Sequence, residues 1–191
     1  MELKFDISEK DYINFNLYHM NNLRFTKILN FLLFVCLPIY IFVRVSLSFL
    51  NNPDIEYKWI PFATAFLLAA IFIAVLYLFI KVLNLLSIKA HLRAGKRNDF
   101  IGPQTLFLRD EFFESGDQYS SGKVSYAAVE KIAFAYGCFY VYVGAIKAAI
   151  IPLAAFSNDV QKEQFMEFLK QKTGLNVLVR KKDLKNFHAR V

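Results

Sequence analysis

Cysteine, glycine and proline are all scarce in this chain, and their scarcity excludes several classes of protein. The 191 residues include 2 Cys, 7 Gly and 5 Pro. Two isolated thiols, Cys36 and Cys138, cannot build a disulfide framework, and the 3 histidines lie too far apart in sequence to suggest a zinc motif. Charged residues are also few, at 20%, whereas hydrophobic residues make up 56%. This balance excludes a disordered or collagen-like chain and indicates a membrane protein.

Signatures of catalysis and of cofactor binding are missing as well. No serine lies in a G-x-S-x-G context, and no glycine-rich phosphate or dinucleotide loop occurs in the sequence. The acidic residues at 110–117 lack the spacing of an EF-hand and are interpreted as a solvated hairpin edge. The sequence therefore predicts a protein that is not an enzyme and that needs no cofactor or metal.

One long apolar run predicts a membrane-spanning helix. Residues 59–80 contain no charged side chain, and at a rise of about 1.5 Å per residue they cover about 33 Å, enough for the hydrocarbon core of a bilayer. Trp59 begins the run, where an aromatic side chain suits the membrane interface. Apolar positions beyond residue 80 indicate that the helix continues past the lipid into the cytoplasm.

An earlier run, residues 28–50, is also long enough to cross a membrane. Its charge-free part ends at residue 43, so Arg44 needs an explanation. Near a helix end, the guanidinium can reach the headgroups along its own side chain; the alternative is a functional charge that faces a cavity or a partner helix. Pro38 lies inside this run and is expected to bend the helix.

Basic residues predict the orientation of the two helices. The connection 51–58 carries Asp54 and Glu56 against Lys58, and its shortness predicts an antiparallel hairpin. By the positive-inside rule, the loop lies outside and both termini lie in the cytoplasm, because the basic residues flank the other ends of the helices. The predicted membrane-interface residues are Arg24, Lys27, Arg44, Trp59, Lys81, Lys89, Arg93, Lys96 and Arg97.

The remainder of the chain predicts a small α+β domain. Short alternating segments joined by glycine turns after residue 98 are typical of an antiparallel β-sandwich or partly open barrel. One amphipathic helix follows, with N-cap candidates at 157–159 and Gly174 at its end, and its apolar stripe is expected to cover the open end or face of the sheet. A short N-terminal strand is expected to add an edge to this sheet, and Ser8 and Asp11 after it resemble a capping box that begins a helix. The predicted organisation is a cytoplasmic strand and helix at 1–27, a transmembrane helix at 28–50, an extracytoplasmic loop at 51–58, a transmembrane helix with a cytoplasmic extension at 59–97, the β domain at 98–175 and a basic tail at 176–191.

Two tyrosines suggest a contact surface on this domain. Alternation along 139–143 places Tyr140 and Tyr142 on the face opposite the core residues, and exposed tyrosines favour protein contacts. We expect this face to meet either the N-terminal strand or a partner protein. The basic residues near the membrane and in the tail are expected to bind anionic lipid headgroups, because no nucleic-acid-binding module accompanies them.

The order of these elements resembles the YcxB-like family of small bacterial membrane proteins. The likeness is carried by Phe5, Asp6, Ile7, Ser8, Asp11 and Tyr12, by the stretch YAAVEKI at 126–132, and by Ile150, Ile151, Pro152 and Phe156. Its signature residues in the soluble part are Tyr126, Ile132, Pro152 and Phe156. The family usually has Trp where Tyr126 stands, and a basic residue after the proline where this chain has Leu153 and Ala154.

The resemblance implies a pleckstrin-homology-like C-terminal domain, a β-sandwich capped by one helix, and it brings no catalytic residues. We expect a two-pass protein of the bacterial cell membrane that presents this domain to a membrane protein partner or to a second copy of itself. Two other functions stay open. An immunity or accessory protein would act through its hairpin, with Arg44, Pro38 and Ser46 at the centre, and a channel subunit would require oligomers.

Overall fold

The computed structural model describes residues 1–50, 59–94, 101–117, 119–145 and 147–188. The predicted extracytoplasmic loop, 51–58, and the predicted interface residues Lys96 and Arg97 lie outside these ranges. The chain forms two compact units, which are described separately. One unit comprises Met20–Ala90, and the other combines Met1–His19 with His91–Val191.

Long apolar helices form the first unit. Two stretches, Arg24–Ser48 and Trp59–Arg93, are long and apolar enough to cross a membrane. Within the described residues the helices here are α2 (Arg24–Phe31), α3 (Leu37–Leu50) and α4 (Trp59–Ala94), preceded by α1 (Glu9–Asn22). The ring of Phe34 lies 6.4 Å from that of Tyr77, and the ring of Phe42 lies 6.5 Å from that of Phe62. Residues that come later on the first stretch meet residues that come earlier on α4, so the hairpin is antiparallel.

A π-helical turn at Leu32–Cys36 separates α2 from α3. Pro38 follows it directly, and proline has no N–H to donate to the carbonyl of Phe34 four residues earlier. A π-helical turn is a common way to accommodate such a missing hydrogen bond. The irregularity predicted at Pro38 therefore takes the form of a widened turn just before the proline.

Two four-stranded sheets form the second unit. The first sheet has the order β1-β2-β3-β4 and the second has the order β7-β6-β5-β8. The strands are β1 (Glu2–Ile7), β2 (Gly102–Leu108), β3 (Phe112–Gly116), β4 (Ser121–Ser125), β5 (Val129–Ala135), β6 (Cys138–Val143), β7 (Lys147–Pro152) and β8 (Val177–Val179). The predicted pairing of the N-terminal strand is confirmed, because β1 runs antiparallel to β2 with Leu3 opposite Leu106.

The core lies between the two sheets and beneath α5 (Asp159–Thr173). Phe139 lies at its centre and is fully buried. Its ring contacts those of Phe134 (4.9 Å between centroids), Phe165 (5.6 Å) and Phe156 (5.7 Å). Phe165 comes from α5, so the helix closes the open side of the two sheets, as the sequence predicted for its apolar stripe.

Local sequence signals explain where the helices of this unit begin and end. Ser8 and Asp11 form the predicted capping box at the start of α1: the Asp11 N–H donates to Ser8 Oγ (3.2 Å), and the Ser8 N–H donates to Asp11 Oδ2 (3.1 Å). At the start of α5, Asn158 Oδ1 accepts from the Gln161 N–H at 2.8 Å. Gly174 ends α5 with φ of 70°, a left-handed conformation that suits glycine.

Residues 177–188, within the segment predicted as a basic tail, contain a strand and helical turns. Strand β8 pairs parallel with β5, so the second sheet is mixed, whereas the sequence predicted antiparallel pairing throughout. A short helix, α6 (Leu184–His188), follows. The three apolar residues of β8 are flanked by charged residues, and so short a run carries no alternation that sequence patterning can detect.

A network of polar contacts attaches this C-terminal segment to the β5–β6 turn. Tyr136 has φ of 55°, which is strained for a residue other than glycine, and Gly137 follows it with φ of 77°. The Arg180 guanidinium stacks on the Tyr136 ring at 3.6 Å. Asp183, a buried carboxylate, accepts from the Tyr136 N–H at 3.1 Å and from Arg180 Nε. Arg180 is therefore engaged within the domain.

Candidate functional site

The outer face of the second sheet, on the side away from the core, holds the two tyrosines that the sequence singled out. Lys131, Ala133 and Ala135 of β5 lie opposite Tyr142, Tyr140 and Cys138 of β6 in the register of the sheet. Because opposite residues share a face, these six side chains form one surface, here called the tyrosine face. The alanines are small, so the two tyrosine rings are the side chains that project furthest from this face.

Helix α1 covers the tyrosine face through its own aromatic residues. The Phe15 ring lies 5.3 Å from that of Tyr140 and 6.0 Å from that of Tyr142. Tyr18 lies 5.5 Å from Tyr140, and His19 stacks on Tyr142 at 5.9 Å. Positions 15, 18 and 19 lie on one side of a helix, which is why all three side chains reach the sheet together.

Helix α1 covers the two tyrosines that were predicted as a candidate partner surface. The sequence predicted that Tyr140 and Tyr142 would meet the N-terminal strand or a partner, but they are only 0% and 3% exposed beneath α1. The N-terminal strand β1 pairs in the first sheet instead. The signal that could have identified the cover is the spacing of Asp11, Phe15 and Tyr18, which places these side chains on one side of α1.

A lysine gives the tyrosine face a positive charge. Lys131 Nζ lies 4.1 Å from the centre of the Tyr142 ring and 5.6 Å from that of Tyr18, within the range of cation–π attraction. Burial lowers the pKa of His19, and the charge of Lys131 lowers it further. Both effects favour the neutral imidazole while α1 covers the sheet.

Cys138 lies on the same face but is not an activated nucleophile. Its thiol is buried and lies 3.5 Å from the Asp11 carboxylate, to which it donates. Burial raises the pKa of the thiol strongly, and the negative charge of Asp11 raises it further. A nucleophilic cysteine needs the opposite environment, one that stabilises the thiolate. The contact therefore serves to position α1 on the sheet.

Both tyrosine hydroxyls on this face are buried without a hydrogen-bond partner among the described residues. Burial also raises the pKa of Tyr140 and of Tyr142 well above the ordinary value, so each hydroxyl keeps its proton as a donor. A buried donor without an acceptor typically costs about 1–3 kcal/mol. The tyrosine face therefore offers two unused hydrogen-bond donors beside one lysine.

The titration of His19 predicts that the packing of α1 depends on pH. Lys131 from β5 and Tyr142 from β6 face the imidazole, and Phe15 lies beside it on α1. In the packed state the pKa of His19 lies below the ordinary value of about 6.5. Folding is therefore not penalised by His19 above about pH 6.5, where the imidazole is neutral in both states. As the pH falls from there towards the lowered pKa, the unfolded chain binds the proton more readily and the folded state loses stability.

We therefore expect the midpoint temperature of unfolding of the full chain to decrease between pH 7.5 and 5.5. The decrease should be larger than that of a His19→Gln variant over the same range. Circular dichroism of both proteins in the same detergent measures the difference, and the variant corrects for carboxylates that titrate elsewhere. Equal pH dependence of the two proteins would show that His19 is equally solvated in the folded and unfolded chains.

The predicted membrane-interface residues lie at the two ends of the antiparallel hairpin. The contact between Phe42 and Phe62 shows that Arg44 and Trp59 lie towards the same end of the hairpin. The other predicted interface residues that the structure describes lie towards the opposite end or in the last turn of α4. Those remaining residues are Arg24, Lys27, Lys81, Lys89 and Arg93. All of these side chains are exposed except that of Lys89, which is half-buried. Arg44 is thus near a helix-hairpin end, as a headgroup contact requires.

The family-signature residues serve packing. Tyr126, Ile132, Pro152 and Phe156 are all buried in the β domain. The Tyr126 hydroxyl donates to the carbonyl of Arg109 at 2.9 Å, which ties the start of β5 to the β2–β3 turn. Burial, followed by the negative charge of Asp110, raises the pKa of Tyr126 to about 12. Its hydroxyl is therefore a structural donor.

Within the part of the chain that the structure describes, no three His, Cys, Asp or Glu side chains come together in a group that could hold a metal ion. The two cysteines are both free, with Cys36 exposed on the helical unit and Cys138 buried.

Two long apolar helices, antiparallel sheets and a C-terminal helix define a helical-hairpin protein with a β domain. The chain carries a YcxB-like segment: the family model described as YcxB-like protein matches residues 108–169, from the end of β2 into α5. This match confirms the resemblance seen in the sequence, and it contains all four signature residues. No curated protein and no solved structure matches the chain.

Proposed function

We propose that this protein is a non-enzymatic scaffold of the bacterial cell membrane, in which two membrane helices anchor a cytoplasmic β domain that binds membrane-bound partners. The observation that carries the proposal is the pairing of β1 with β2, because these strands precede and follow the two apolar helices in sequence. The β domain thus has two covalent connections to the hairpin. Anchoring of this kind raises the effective concentration of a binding module near other membrane proteins.

Charge distribution supports the membrane placement. Arg24, Lys27, Lys81 and Lys89 lie towards one end of the hairpin, where each basic residue near an anionic leaflet contributes about 1 kcal/mol. Exposed apolar side chains cover the helices between their ends, for example Phe66 at 70% exposure. Both features fit a hairpin surrounded by lipid with its basic end in the cytoplasm.

The order of elements supports a pleckstrin-homology-like domain. Four antiparallel strands form one sheet, three further antiparallel strands form the body of the second, and α5 closes the space between them. Strand β8 is an addition to that plan. Such a domain suits binding, and the protonated Cys138 thiol and the structural role of Tyr126 support binding over catalysis. The proposed partners are anionic lipids and a membrane protein or second copy of the chain, without nucleic acid.

Reporter fusions test the orientation. Green fluorescent protein fused after residue 191 should fluoresce, whereas alkaline phosphatase fused at the same point should be inactive. Alkaline phosphatase inserted within 51–58 should be active, because it would lie outside the membrane. The chain should also stay with the membrane in carbonate. Phosphatase activity after residue 191, or extraction by carbonate, would contradict the proposed placement.

Site-specific photo-cross-linking tests the binding role. A photoreactive amino acid is placed at Tyr119 or Leu178 of the β domain, which are 69% and 55% exposed. The matched control positions on the hairpin are Phe66 and Ile39, which are 70% and 57% exposed. The proposal predicts that β-domain positions form a discrete cross-linked product with a membrane protein in intact cells. Products confined to the hairpin positions would refute the scaffold role.

One observation favours the alternative, an immunity or accessory protein that acts through its hairpin. Ser46 is buried, and its hydroxyl has no hydrogen-bond partner in the described part of the chain. An unpartnered hydroxyl on an apolar helix is a polar group that a membrane partner could satisfy. In this case the cross-links from Ile39 and Phe66 would identify the partner, and deletion of residues 98–191 would leave function intact.

A further inference from the structure

The segment 177–188, here called the basic segment, exposes two leucines close in sequence to three exposed lysines. Leu178 of β8 is 55% exposed, and Leu184 at the start of α6 is 44% exposed. The exposed lysines are Lys181, Lys182 and Lys185. Large apolar side chains accompanied by cations are typical of protein segments that lie in the headgroup region of a membrane.

The positive charge of the basic segment is not balanced by acidic residues. Asp183 is the one acidic residue at 177–188, and its buried carboxylate is bonded to Arg180. These two charges compensate each other, so the three exposed lysines carry the net charge of the segment. Among the described residues, no carboxylate forms an ion pair with any of the three. An anionic leaflet attracts a surface of this kind.

Leu178 lies on the outer face of the second sheet, next to the part that α1 covers. In the register of the sheet, Ala133 of β5 is opposite Tyr140 on one side and opposite Leu178 on the other. Tyr140 is 0% exposed, because the rings of α1 lie on it, whereas Leu178 on the neighbouring edge strand remains exposed. The helix that buries the tyrosines therefore leaves Leu178 available for another contact.

Chain connectivity keeps this part of the domain near the predicted membrane interface. The ring of Tyr18, in α1, lies 5.5 Å from that of Tyr140. Residues 19–23 separate Tyr18 from Arg24, which begins the first apolar stretch. Because an extended chain covers at most about 3.5 Å per residue, Tyr18 lies within about 20 Å of Arg24. A surface beside α1 is thus tethered close to lipid in the proposed arrangement.

We propose that the basic segment binds the surface of an anionic membrane, with its two exposed leucines among the headgroups and its three exposed lysines on the lipid phosphates. The inference rests on the proposed function, which places the β domain beside the cytoplasmic leaflet, and it assigns the lipid-binding site of that domain. A lipid surface is favoured over a nucleic acid because only the lipid offers an apolar layer for the leucines. The contact would also limit rotation of the domain on its two covalent connections.

Fluorescence quenching of the full chain in lipid nanodiscs tests the inference. An environment-sensitive fluorescent amino acid replaces Leu178 or Leu184, and the matched control carries it at Val160, which is 62% exposed on α5. The discs contain phosphatidylcholine alone or phosphatidylcholine with phosphatidylglycerol, and a brominated lipid is the quencher in both. In the anionic discs we expect at least about threefold stronger quenching at Leu178 and Leu184 than at Val160. In phosphatidylcholine alone the difference should be lost, because the lysines then gain little.

A charge variant tests the role of the lysines. Replacing all three lysines of the basic segment by glutamine should lower the ratio of bound to unbound segment about a hundredfold, so quenching at Leu184 should fall to the level at Val160. The matched control has the same change in net charge but should keep the quenching. It replaces three exposed lysines elsewhere in the domain by glutamine, namely Lys123, Lys147 and Lys170. Thermal unfolding checks that every chain is folded.

Three outcomes overturn the inference. Equal quenching at Leu184 and Val160 would show that the basic segment does not enter the membrane surface, and quenching that survives loss of the three lysines would show that charge does not direct it. An emission change at Leu184 on addition of duplex RNA, without lipid quenching, would assign the segment to nucleic acid. In each case, cross-links from Tyr119 in cells would leave the proposed scaffold function standing. Phosphatase activity after residue 191 would instead remove the placement on which the inference rests, so the two failures are distinguishable.

Discussion

Replacing Phe139 by alanine should unfold the β domain at growth temperature. The ring is fully buried and contacts Phe134, Phe156 and Phe165, so its removal leaves a cavity where both sheets and α5 meet. Truncation of a buried phenylalanine typically costs about 3–5 kcal/mol, which is a large part of the free energy of unfolding of a small domain. Pulse proteolysis in urea, performed on the full chain in detergent, measures the loss.

Val160 provides the control for this substitution. It lies on α5 in the same domain and is 62% exposed, so Val160→Ala should change the free energy of unfolding by less than about 0.5 kcal/mol. If Phe139→Ala proved as mild as Val160→Ala, the centre of the core would have to lie elsewhere. The cleavage products should also show the hairpin helices intact, because the mutation acts within the other unit.

Replacing Asp183 by alanine should detach the C-terminal segment from the β5–β6 turn. The carboxylate is only 4% exposed, and it accepts from the backbone of strained Tyr136 and from Arg180. Its loss leaves a backbone N–H unpartnered and a half-buried guanidinium uncompensated, for which we expect about 2–4 kcal/mol of destabilisation. Hydrogen–deuterium exchange should show faster exchange at Arg180, whose N–H donates to the carbonyl of Phe134.

A neighbouring exposed residue separates this effect from a general loss of charge in the segment. Lys182→Ala removes one exposed side chain beside Asp183 and should leave both stability and exchange at Arg180 unchanged. A further variant, Asp183→Asn, keeps one acceptor oxygen and should be intermediate. Wild-type exchange rates in Asp183→Ala would mean that β8 is held by its pairing with β5 alone.

Sequence patterns predicted the features that depend on local residue order. The hairpin helices follow from two long apolar runs, the start of α1 from the Ser8–Asp11 capping box, and the bounds of α5 from Asn158 and Gly174. The pairing of β1 with β2 was also anticipated, since both segments lie on the same predicted side of the membrane. The helices and their ends are decided by residues within a few positions of one another or by a long apolar run. The pairing of β1 with β2 joins distant segments, and its prediction relied on their shared side of the membrane and not on a local pattern.

The features that patterns missed depend on contacts between distant segments. Alternation correctly placed Tyr140 and Tyr142 away from the core, but it could not show that Phe15 and Tyr18 cover them, because the two segments lie more than a hundred residues apart in sequence. The same limit applies to β8, which is too short for a periodic signal. The left-handed Tyr136 was unexpected because a tyrosine seldom adopts that conformation without tertiary support.

The pairing of β1 with β2 has a consequence for biosynthesis. In the proposed arrangement β1 leaves the ribosome before the hairpin, yet its partner strand begins at Gly102, after the whole hairpin has been translated. At typical bacterial elongation rates β1 waits about 5–20 s with an unpaired edge. Translation of the hairpin must therefore precede completion of the first sheet, and a chain that stalls during its insertion would expose an unpaired strand that proteases can recognise.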